Sequence, residues 1–209
     1  MNPRRTDALP PSPVHWAMVD DWSQEGDLAA SARRVSAKGA PGRAQCAALQ
    51  LLASVLDAEH VLVFGSTGGV AEAWLLEGMR TTGTLTVIDA DPGVQAATRD
   101  ALASAPSTAV RVITGRSDAI LPRLTDTGYD LIVFDAVASG SPGIEHASRL
   151  LRRGGMLVLR LDDHEAGSRG VRDESAHLRD DPRWTTAWLT VGTGLIAAVW
   201  HGDEETAAE

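Results

Sequence analysis

Cysteine is almost absent from the sequence, since Cys46 is the only one among 209 residues. A single cysteine excludes an internal disulfide and a cysteine-rich zinc site. Reduced thiols are typical of the cytoplasm, and we therefore expect a cytoplasmic protein. The sequence also lacks any stretch long and apolar enough to cross a bilayer, so no membrane-spanning helix and no membrane partner are expected.

Lysine is equally scarce, and negative charge is in excess. Lys38 is the only lysine, the arginines are scattered among acidic residues, and the formal net charge is −9. Nucleic-acid-binding proteins usually gain affinity from clustered Lys and Arg side chains that neutralise phosphates. The charge therefore argues against a nucleic-acid partner and favours a small neutral or cationic ligand.

The length of the chain fits one α/β domain with a sizeable core. Residues 1–14 contain several prolines and few apolar side chains, which is typical of a disordered leader. We expect a single domain over residues 15–202, beginning with a helical segment, and an acidic tail over residues 203–209. Trp16 and Trp22 lie in the helical segment. We expect them to pack in the core; a lid over a pocket and a dimer interface are the alternatives.

Apolar β-rich runs alternate with helical patterns through the middle of the chain. The runs are HVLVFG (60–65), TLTVIDA (84–90), VRVITG (110–115), DLIVFDA (130–136) and GMLVLRL (155–161). Continuous apolar strands separated by helices, the last of them over 143–154, predict a mostly parallel sheet covered on both faces. Two further β-like runs, 184–192 and 194–202, are joined by Gly-Thr-Gly and predict a C-terminal antiparallel hairpin. The predicted fold class is α/β with a seven-stranded sheet.

The first strand runs into a glycine-rich turn, FGSTGGV, over residues 64–70. The turn lacks the lysine of a Walker phosphate loop. It also fails the dinucleotide fingerprint, because Thr67 and Val70 replace two of the three glycines. Gly65, Gly68 and Gly69 remain at the carboxyl edge of the predicted sheet, where open α/β sheets bind ligands. The turn alone is compatible with a ligand site or with a tight connection only.

Acidic residues end the second and fourth predicted strands. Asp89 is placed to accept hydrogen bonds from two ribose hydroxyls, while Asp91 suits the cap of the following helix. Gly115 and Ser117, after the third strand, lie where an adenine edge would sit. Asp135 ends an apolar strand and therefore needs a partner or a function.

Together these residues resemble the S-adenosylmethionine-dependent methyltransferases, and within them the catechol and caffeoyl-CoA O-methyltransferase-like family. The most similar stretches are VFGSTGGVAEAWLLEGM, GTLTVIDADPG, YDLIVFDA and RLLRRGGMLVL. The resemblance implies a Rossmann-like methyltransferase fold, S-adenosylmethionine as cofactor and a small-molecule methyl acceptor. The cofactor residues that it implies are Gly65, Ser66 and Gly69 at the methionine end, Asp89 on the ribose, and Ala90, Gly115, Arg116 and Ser117 beside the adenine, with Ala71 and Asp135 also facing the cofactor.

The sequence departs from the family pattern at the methionine end of the cofactor. The family usually has an acidic residue where this chain has Val63, and a serine that touches the methionine carboxylate where this chain has Ala71. Polar anchoring of the amino-acid end is therefore thinner. A degenerate protein with this fold, acting as a binding or scaffold module, stays an alternative to an enzyme. An NAD-type oxidoreductase is a further alternative, which the failed fingerprint disfavours.

The metal site of the catechol-type enzymes is also altered. Asp135 matches one ligand, but Arg160 and Leu161 replace the Asp-Asn pair after the fifth strand. A hard cation needs several oxygen ligands, so we expect no bound metal, unless a shifted strand end brings in Asp162 or Asp163.

Without a metal, methylation of a hydroxyl needs a side-chain base. Asp135 and His164 are the candidates. We expect the guanidinium of Arg160 to pair with Asp135 in the space that the ion would fill. The protein is also expected to be a homodimer.

Overall fold

The computed structural model describes residues 13–36, 40–106, 109–135, 142–161 and 169–203. Three helices precede the first strand: α1 (Pro13–Trp22), α2 (Asp27–Val35) and α3 (Arg43–Val55). None of the helices in this part of the chain has both the length and the apolar content needed to cross a membrane.

Seven strands form one sheet, with the order β3-β2-β1-β4-β5-β7-β6. Their bounds are β1 (His60–Phe64), β2 (Thr84–Asp89), β3 (Val110–Thr114), β4 (Tyr129–Asp135), β5 (Leu151–Arg160), β6 (Trp184–Leu189) and β7 (Leu195–Trp200). The first five strands are parallel, whereas β7 runs antiparallel to both β5 and β6. The predicted α/β fold, with a mostly parallel seven-stranded sheet and a C-terminal antiparallel pair, is confirmed.

Helices cover both faces of the sheet. They are α4 (Val70–Gly78), α5 (Pro92–Ala101), α6 (Ser117–Ile120), α7 (Pro142–Leu150) and α8 (Arg169–Asp180), with a 3-10 turn at Leu121–Arg123. One apolar cluster joins α2, α3, α4 and α5 to one face of the sheet. A second cluster joins α7 and α8 to the other face. This arrangement explains why the central strands are continuously apolar instead of alternating with polar residues.

The boundary between α7 and β5 differs from the prediction. The helical pattern predicted a helix to residue 154, but α7 ends at Leu150 and β5 begins at Leu151. Both leucines are fully buried, one beneath the helix and the other in the sheet. The register then shifts, because Tyr129 pairs with Leu151 and Leu131 pairs with Met156. Because Leu150 and Leu151 both fit the helical spacing of apolar residues, the sequence pattern did not show where the helix ends and the strand begins.

The tryptophans divide between the core and the surface. Trp184 and Trp200 are buried and pack together, with ring centroids 4.7 Å apart. The expectation that Trp22 packs in the core is wrong, because 88% of its surface is exposed. It lies at the end of α1, where the described residues provide no apolar cover. The side chain of Trp16 lies outside the described residues.

Asp130 stabilises one edge of the sheet, where the central strands begin. The predicted site lies at the opposite edge, where the strands end. Its Oδ2 accepts hydrogen bonds from the backbone amides of Glu59 and His60, each at 2.8 Å, and its Oδ1 pairs with Arg152. Partial burial on its own would raise the pKa of Asp130, but these hydrogen bonds outweigh it and hold the pKa below the ordinary value. The carboxylate therefore joins the starts of β1, β4 and β5. It takes no part in the edge of the sheet that carries the predicted site.

Candidate functional site

A cavity of about 300 Å³ opens at the carboxyl ends of β1, β2 and β3. The residues that line it are Phe64, Gly65, Ile88, Asp89, Ala90, Gly115, Arg116, Ser117 and Asp118. Six of them were proposed from the sequence as cofactor residues, and they come from three separate segments of the chain. The parallel topology brings these segments together, because each follows a strand that ends at the same edge of the sheet.

Phe64 lines the cavity and is supported from below by a second aromatic ring. Phe64 and Phe134 pair across β1 and β4, and their rings stack with centroids 5.1 Å apart. Sequence reasoning missed Phe64, Ile88 and Asp118 as lining residues. Each of them adjoins in sequence a residue that was predicted to bind the cofactor, and this adjacency could have identified them.

Asp89 is the central polar group of the cavity. Its Oδ2 accepts a hydrogen bond from the amide of Ser66 at 2.9 Å, and its Oδ1 accepts one from the amide of Asp91 at 2.8 Å. The side chain is half-buried and lines the cavity. Each carboxylate oxygen has more than one acceptor site, so the two backbone bonds leave capacity for a ligand's hydroxyls.

Asp91 has the separate role that the sequence predicted for it. Its Oδ1 accepts from the amides of Gly93 and Val94 at 2.7 and 3.2 Å, and Pro92 occupies the first position of α5. Asp91 therefore caps α5, and Asp89 is not needed for that purpose.

Backbone amides along the glycine-rich turn already have acceptors within the protein. Gly65 N donates to Ile88 O at 3.1 Å, Ser66 N to Asp89 Oδ2 at 2.9 Å, Thr67 N to Glu72 Oε1 at 3.0 Å, and Gly68 N to Ser66 Oγ at 3.2 Å. A phosphate-binding loop needs such amides to face the phosphate. The carboxylates of Asp89 and Glu72 accept hydrogen bonds from the amides of Ser66 and Thr67, and their negative charge would repel a phosphate. The turn is therefore not built for a pyrophosphate.

The glycines of the turn have left-handed backbone conformations. Gly65, Gly68 and Gly69 have φ values of 78°, 71° and 97°. Gly69 also precedes α4 and packs closely on α5, because a Cβ at this position would lie 2.5 Å from Cβ of Ala101. Glycine is therefore required at Gly69 for both its conformation and its space.

Three of the predicted cofactor residues with described side chains do not line this cavity. Ser66 is half-buried, and Gly69 and Ala71 are buried. Val63, which replaces the family's acidic residue, is 3% exposed and belongs to the core. The structure thus places the ribose and adenine candidates, together with Gly65, around one space, and Ser66 and Gly69 in the turn beside it.

The ends of β4 and β5 bring two further candidates together. Asp135 and Arg160 are register partners on adjacent strands. Arg160 is half-buried and Leu161 is fully buried. The side chain of Asp135, and all of Asp162, Asp163 and His164, lie outside the described residues. Within the described ranges no group of three or more His, Cys, Asp or Glu side chains could hold a metal ion.

Arg116 and Asp118 form an exposed ion pair at the rim of the cavity. Arg116 donates from Nε to Asp118 Oδ1 at 3.1 Å and from Nη2 to Oδ2 at 2.7 Å. The hydrogen bonds from Arg116 hold the pKa of Asp118 below its ordinary value. Asp118 therefore stays ionised at neutral pH and partly neutralises Arg116 at the rim.

Cys46 is fully buried in the apolar cluster beneath the helices, which is the setting of an unreactive structural thiol. Burial raises the pKa of its thiol to about 12, and the nearby guanidinium groups of Arg33 and Arg160 offset only part of this effect. The reactive thiolate is therefore almost absent at neutral pH.

Glu72 is the most informative residue that sequence reasoning missed. It is fully buried in the first turn of α4 and accepts hydrogen bonds from Ser66 and Thr67. The available signal was an acidic residue inside the otherwise apolar run VAEAWLL.

Comparisons with known proteins agree with this geometry. A family model described as a methyltransferase domain matches residues 62–163. Over 190 residues the chain is 36% identical to a protein of Mycobacteroides abscessus that is assigned as an O-methyltransferase, covering 83% of this chain and 88% of that one.

Solved structures show the same fold. An O-methyltransferase from Bacillus cereus, in complex with S-adenosylhomocysteine (SAH), has a TM-score of 0.75 at 20% identity, covering 90% of this chain and 99% of its own. TomG from Streptomyces achromogenes, an O-methyltransferase of tomaymycin synthesis in complex with S-adenosylmethionine, has a TM-score of 0.74 at 23% identity, covering 90% and 98%.

Proposed function

Because the chain belongs to the O-methyltransferase family of its mycobacterial relative, we propose that it transfers the methyl group of S-adenosylmethionine to a hydroxyl of a small molecule. The observation that carries this proposal is the cavity that places Asp89 beside Gly65, Ala90 and Gly115. Its volume of about 300 Å³ lies within the range of small-molecule sites. The two related structures that hold S-adenosylmethionine or SAH support the same choice of cofactor.

The cofactor assignment follows from the side chains around the cavity. Asp89 accepts the two ribose hydroxyls through its remaining acceptor sites, while Ala90, Gly115, Arg116 and Ser117 border the adenine. Gly65, Ser66 and Gly69 position the methionine end, with Ala71 behind them.

Electrostatics favour this cofactor over a dinucleotide. S-adenosylmethionine carries a positive sulfonium, whereas NAD carries a pyrophosphate. The turn has its amides turned to Asp89 and Glu72, so it presents negative charge where a dinucleotide would need positive charge. An NAD-type oxidoreductase is therefore disfavoured by the geometry as well as by the sequence.

Thermal unfolding with added ligand tests this choice. A ligand that binds only the folded state stabilises it by RT ln(1 + [L]/Kd). We expect SAH and S-adenosylmethionine to raise Tm and NAD to leave it unchanged. A rise with NAD alone would support the oxidoreductase, and no rise with any of the three would support the scaffold alternative.

Positioning accounts for most of the proposed catalysis. The cofactor supplies an electrophilic methyl group, and the chain holds the acceptor oxygen in line with it. The acceptor's hydroxyl proton passes to the carboxylate of Asp135 or to the imidazole of His164, the two side-chain bases assigned to this step.

The residues at the end of β5 do not fit a divalent cation. The family's second and third ligand positions hold Arg160 and Leu161, a cation and a buried apolar side chain. A hard cation needs oxygen ligands and is repelled by a guanidinium. Arg160 pairs with Asp135 in place of the ion, and the register between β4 and β5 supports this pairing.

Paramagnetic resonance of Mn²⁺ tests the absence of a metal site. Mn²⁺ takes the same oxygen-rich sites as Mg²⁺. We expect the signal of free Mn²⁺ to be unchanged by the protein, and SAH binding to be unchanged by EDTA. Tight Mn²⁺ binding that Asp135→Ala abolishes would contradict the assignment.

Homodimerisation is supported by apolar side chains exposed on two helices that pack together. Met18 and Trp22 of α1 are 66% and 88% exposed, and Leu51 and Val55 of α3 are 62% and 72% exposed. Burying these side chains against a second copy would remove their apolar surface from water. Light scattering during size-exclusion chromatography should give twice the chain mass for the wild type and a single chain for Trp22→Asp. A monomeric wild type would contradict the dimer.

The remaining partner assignments rest on charge and on thiol chemistry. A net charge of −9 opposes nucleic-acid binding, and a gel-shift with duplex DNA should show no complex.

A lone, buried Cys46 suits the reducing cytoplasm, and recovery of the native protein outside the cell would contradict that location.

A further inference from the structure

Glu72 is a buried carboxylate in a place where the sequence pattern gives no reason for one. It has no exposed surface and lies among apolar residues at the start of α4. Burying a charged group is costly unless hydrogen bonds or opposite charges compensate it. Glu72 therefore has a structural or functional reason to be there, and its partners identify that reason.

Within the described residues, the hydrogen-bond partners of the Glu72 carboxylate all belong to the glycine-rich turn. Oε1 accepts from Ser66 Oγ at 2.8 Å and from the amide of Thr67 at 3.0 Å. Oε2 accepts from Thr67 Oγ1 at 2.6 Å. Three donors from two consecutive residues thus converge on one side chain, and this compensates the burial of its charge.

The hydroxyls of Ser66 and Thr67, held by Glu72, also contact other residues of the turn and of the neighbouring helices. Since Ser66 Oγ donates to Glu72, it is free to accept from the amide of Gly68 at 3.2 Å, and it lies 2.6 Å from Thr98 Oγ1 of α5. Thr67 Oγ1 donates to Glu72 and accepts from the amide of Ala71 at 2.9 Å. The carboxylate therefore fixes the direction of each hydroxyl and joins the turn to α4 and α5.

This network occupies the region where the usual polar groups are missing. Val63 and Ala71 replace an acid and a serine, and both are 3% exposed within the apolar core. Glu72 brings a carboxylate to the same turn from α4 instead of from β1. It does not line the cavity itself, so it can act on a ligand only indirectly, by fixing the conformation of the turn through Ser66 and Thr67.

We infer that Glu72 is the positioning residue of the cofactor turn, which sets Ser66 and Thr67 for the methionine end of the cofactor and compensates for the acid absent at Val63. This inference rests on the proposed function. It predicts that Glu72 governs cofactor affinity, whereas a merely structural role predicts that Glu72 governs stability alone.

The test compares two substitutions of Glu72 by titration calorimetry with SAH and by thermal unfolding. Glu72→Leu keeps a similar volume but leaves three donors without an acceptor, and we expect about 10- to 100-fold weaker SAH binding. Glu72→Gln keeps an acceptor oxygen for Thr67 N and Ser66 Oγ, and we expect most of the affinity to be rescued.

Asp130→Leu is the matched control. Asp130 is also a carboxylate that accepts two backbone amides, but at the opposite edge of the sheet. We expect this variant to lose stability and to bind SAH as the wild type does. Should Glu72→Leu not fold, Thr67→Val removes one contact of the network and should weaken SAH binding in the same direction.

Wild-type SAH affinity in Glu72→Leu or Thr67→Val, with a lowered Tm, would overturn the inference and leave Glu72 a purely structural residue. Equal losses in Glu72→Gln and Glu72→Leu would also overturn it, since the retained acceptor would then be without effect. Failure of the wild type to bind SAH would overturn the proposed function instead.

Discussion

Gly69→Ala is expected to destabilise the protein and to weaken SAH binding by more than tenfold. Gly69 has φ of 97°, and its new Cβ would lie 2.5 Å from Cβ of Ala101 and 3.5 Å from the carbonyl oxygen of Thr98. The left-handed conformation costs about 1–2 kcal/mol for alanine, and overpacking against α5 adds about 1–3 kcal/mol. Relief of the contact requires α4 and α5 to separate, which displaces Ser66 and Thr67.

Gly68→Ala separates the effect of backbone strain from the effect of the collision with α5. Gly68 also has a positive φ, of 71°, but among the described residues a Cβ there meets only Ser36 Oγ, at 3.5 Å. This variant bears the conformational strain without the collision, so chemical denaturation should show a loss of about 1–2 kcal/mol in the free energy of unfolding. SAH affinity should fall much less than in Gly69→Ala. Equal behaviour of the two variants would contradict close packing at Gly69.

Asp89→Asn is expected to weaken SAH binding by about 100-fold. The carboxylate accepts from two backbone amides on opposite oxygens, Ser66 N and Asp91 N. An amide at this position has only one acceptor oxygen, so its NH₂ group must face one of those donors. The substitution therefore disturbs the turn and also removes an acceptor for the ribose hydroxyls.

Asp91→Asn is the control for charge. It removes one negative charge two residues away, and asparagine caps a helix about as well as aspartate. Calorimetry should give a wild-type Kd for Asp91→Asn and a much larger one for Asp89→Asn. Wild-type affinity in Asp89→Asn would rule out Asp89 as the ribose-binding residue.

The architecture was predictable because it depends on patterns that are local in the sequence. Continuous apolar runs mark strands buried on both faces, and Asp91 with Pro92 marks the start of a helix. Once the strands are known to be parallel, the segments after Gly65, Asp89 and Gly115 must meet at one edge. That reasoning located six of the residues around the cavity, although whether they bind the cofactor stays a prediction.

The features that the sequence did not reveal depend on tertiary partners. The partners of Glu72 lie five and six residues earlier in the chain, and their convergence requires the turn to fold back over α4. Leu150 and Leu151 satisfied one helical pattern, yet they bury against different elements. Trp22 looked like a core residue because aromatic side chains usually gain by burial, but its helix presents it to solvent.

Titration calorimetry of the EDTA-treated wild type with SAH tests both the proposed cofactor and the proposed absence of a metal. We expect saturable binding of one SAH per chain without added metal, because in the proposed site Asp89 and the glycine-rich turn provide the contacts and Arg160 takes the place of the ion. Absence of binding heat, or binding that appears only after a divalent cation is restored, would contradict this expectation.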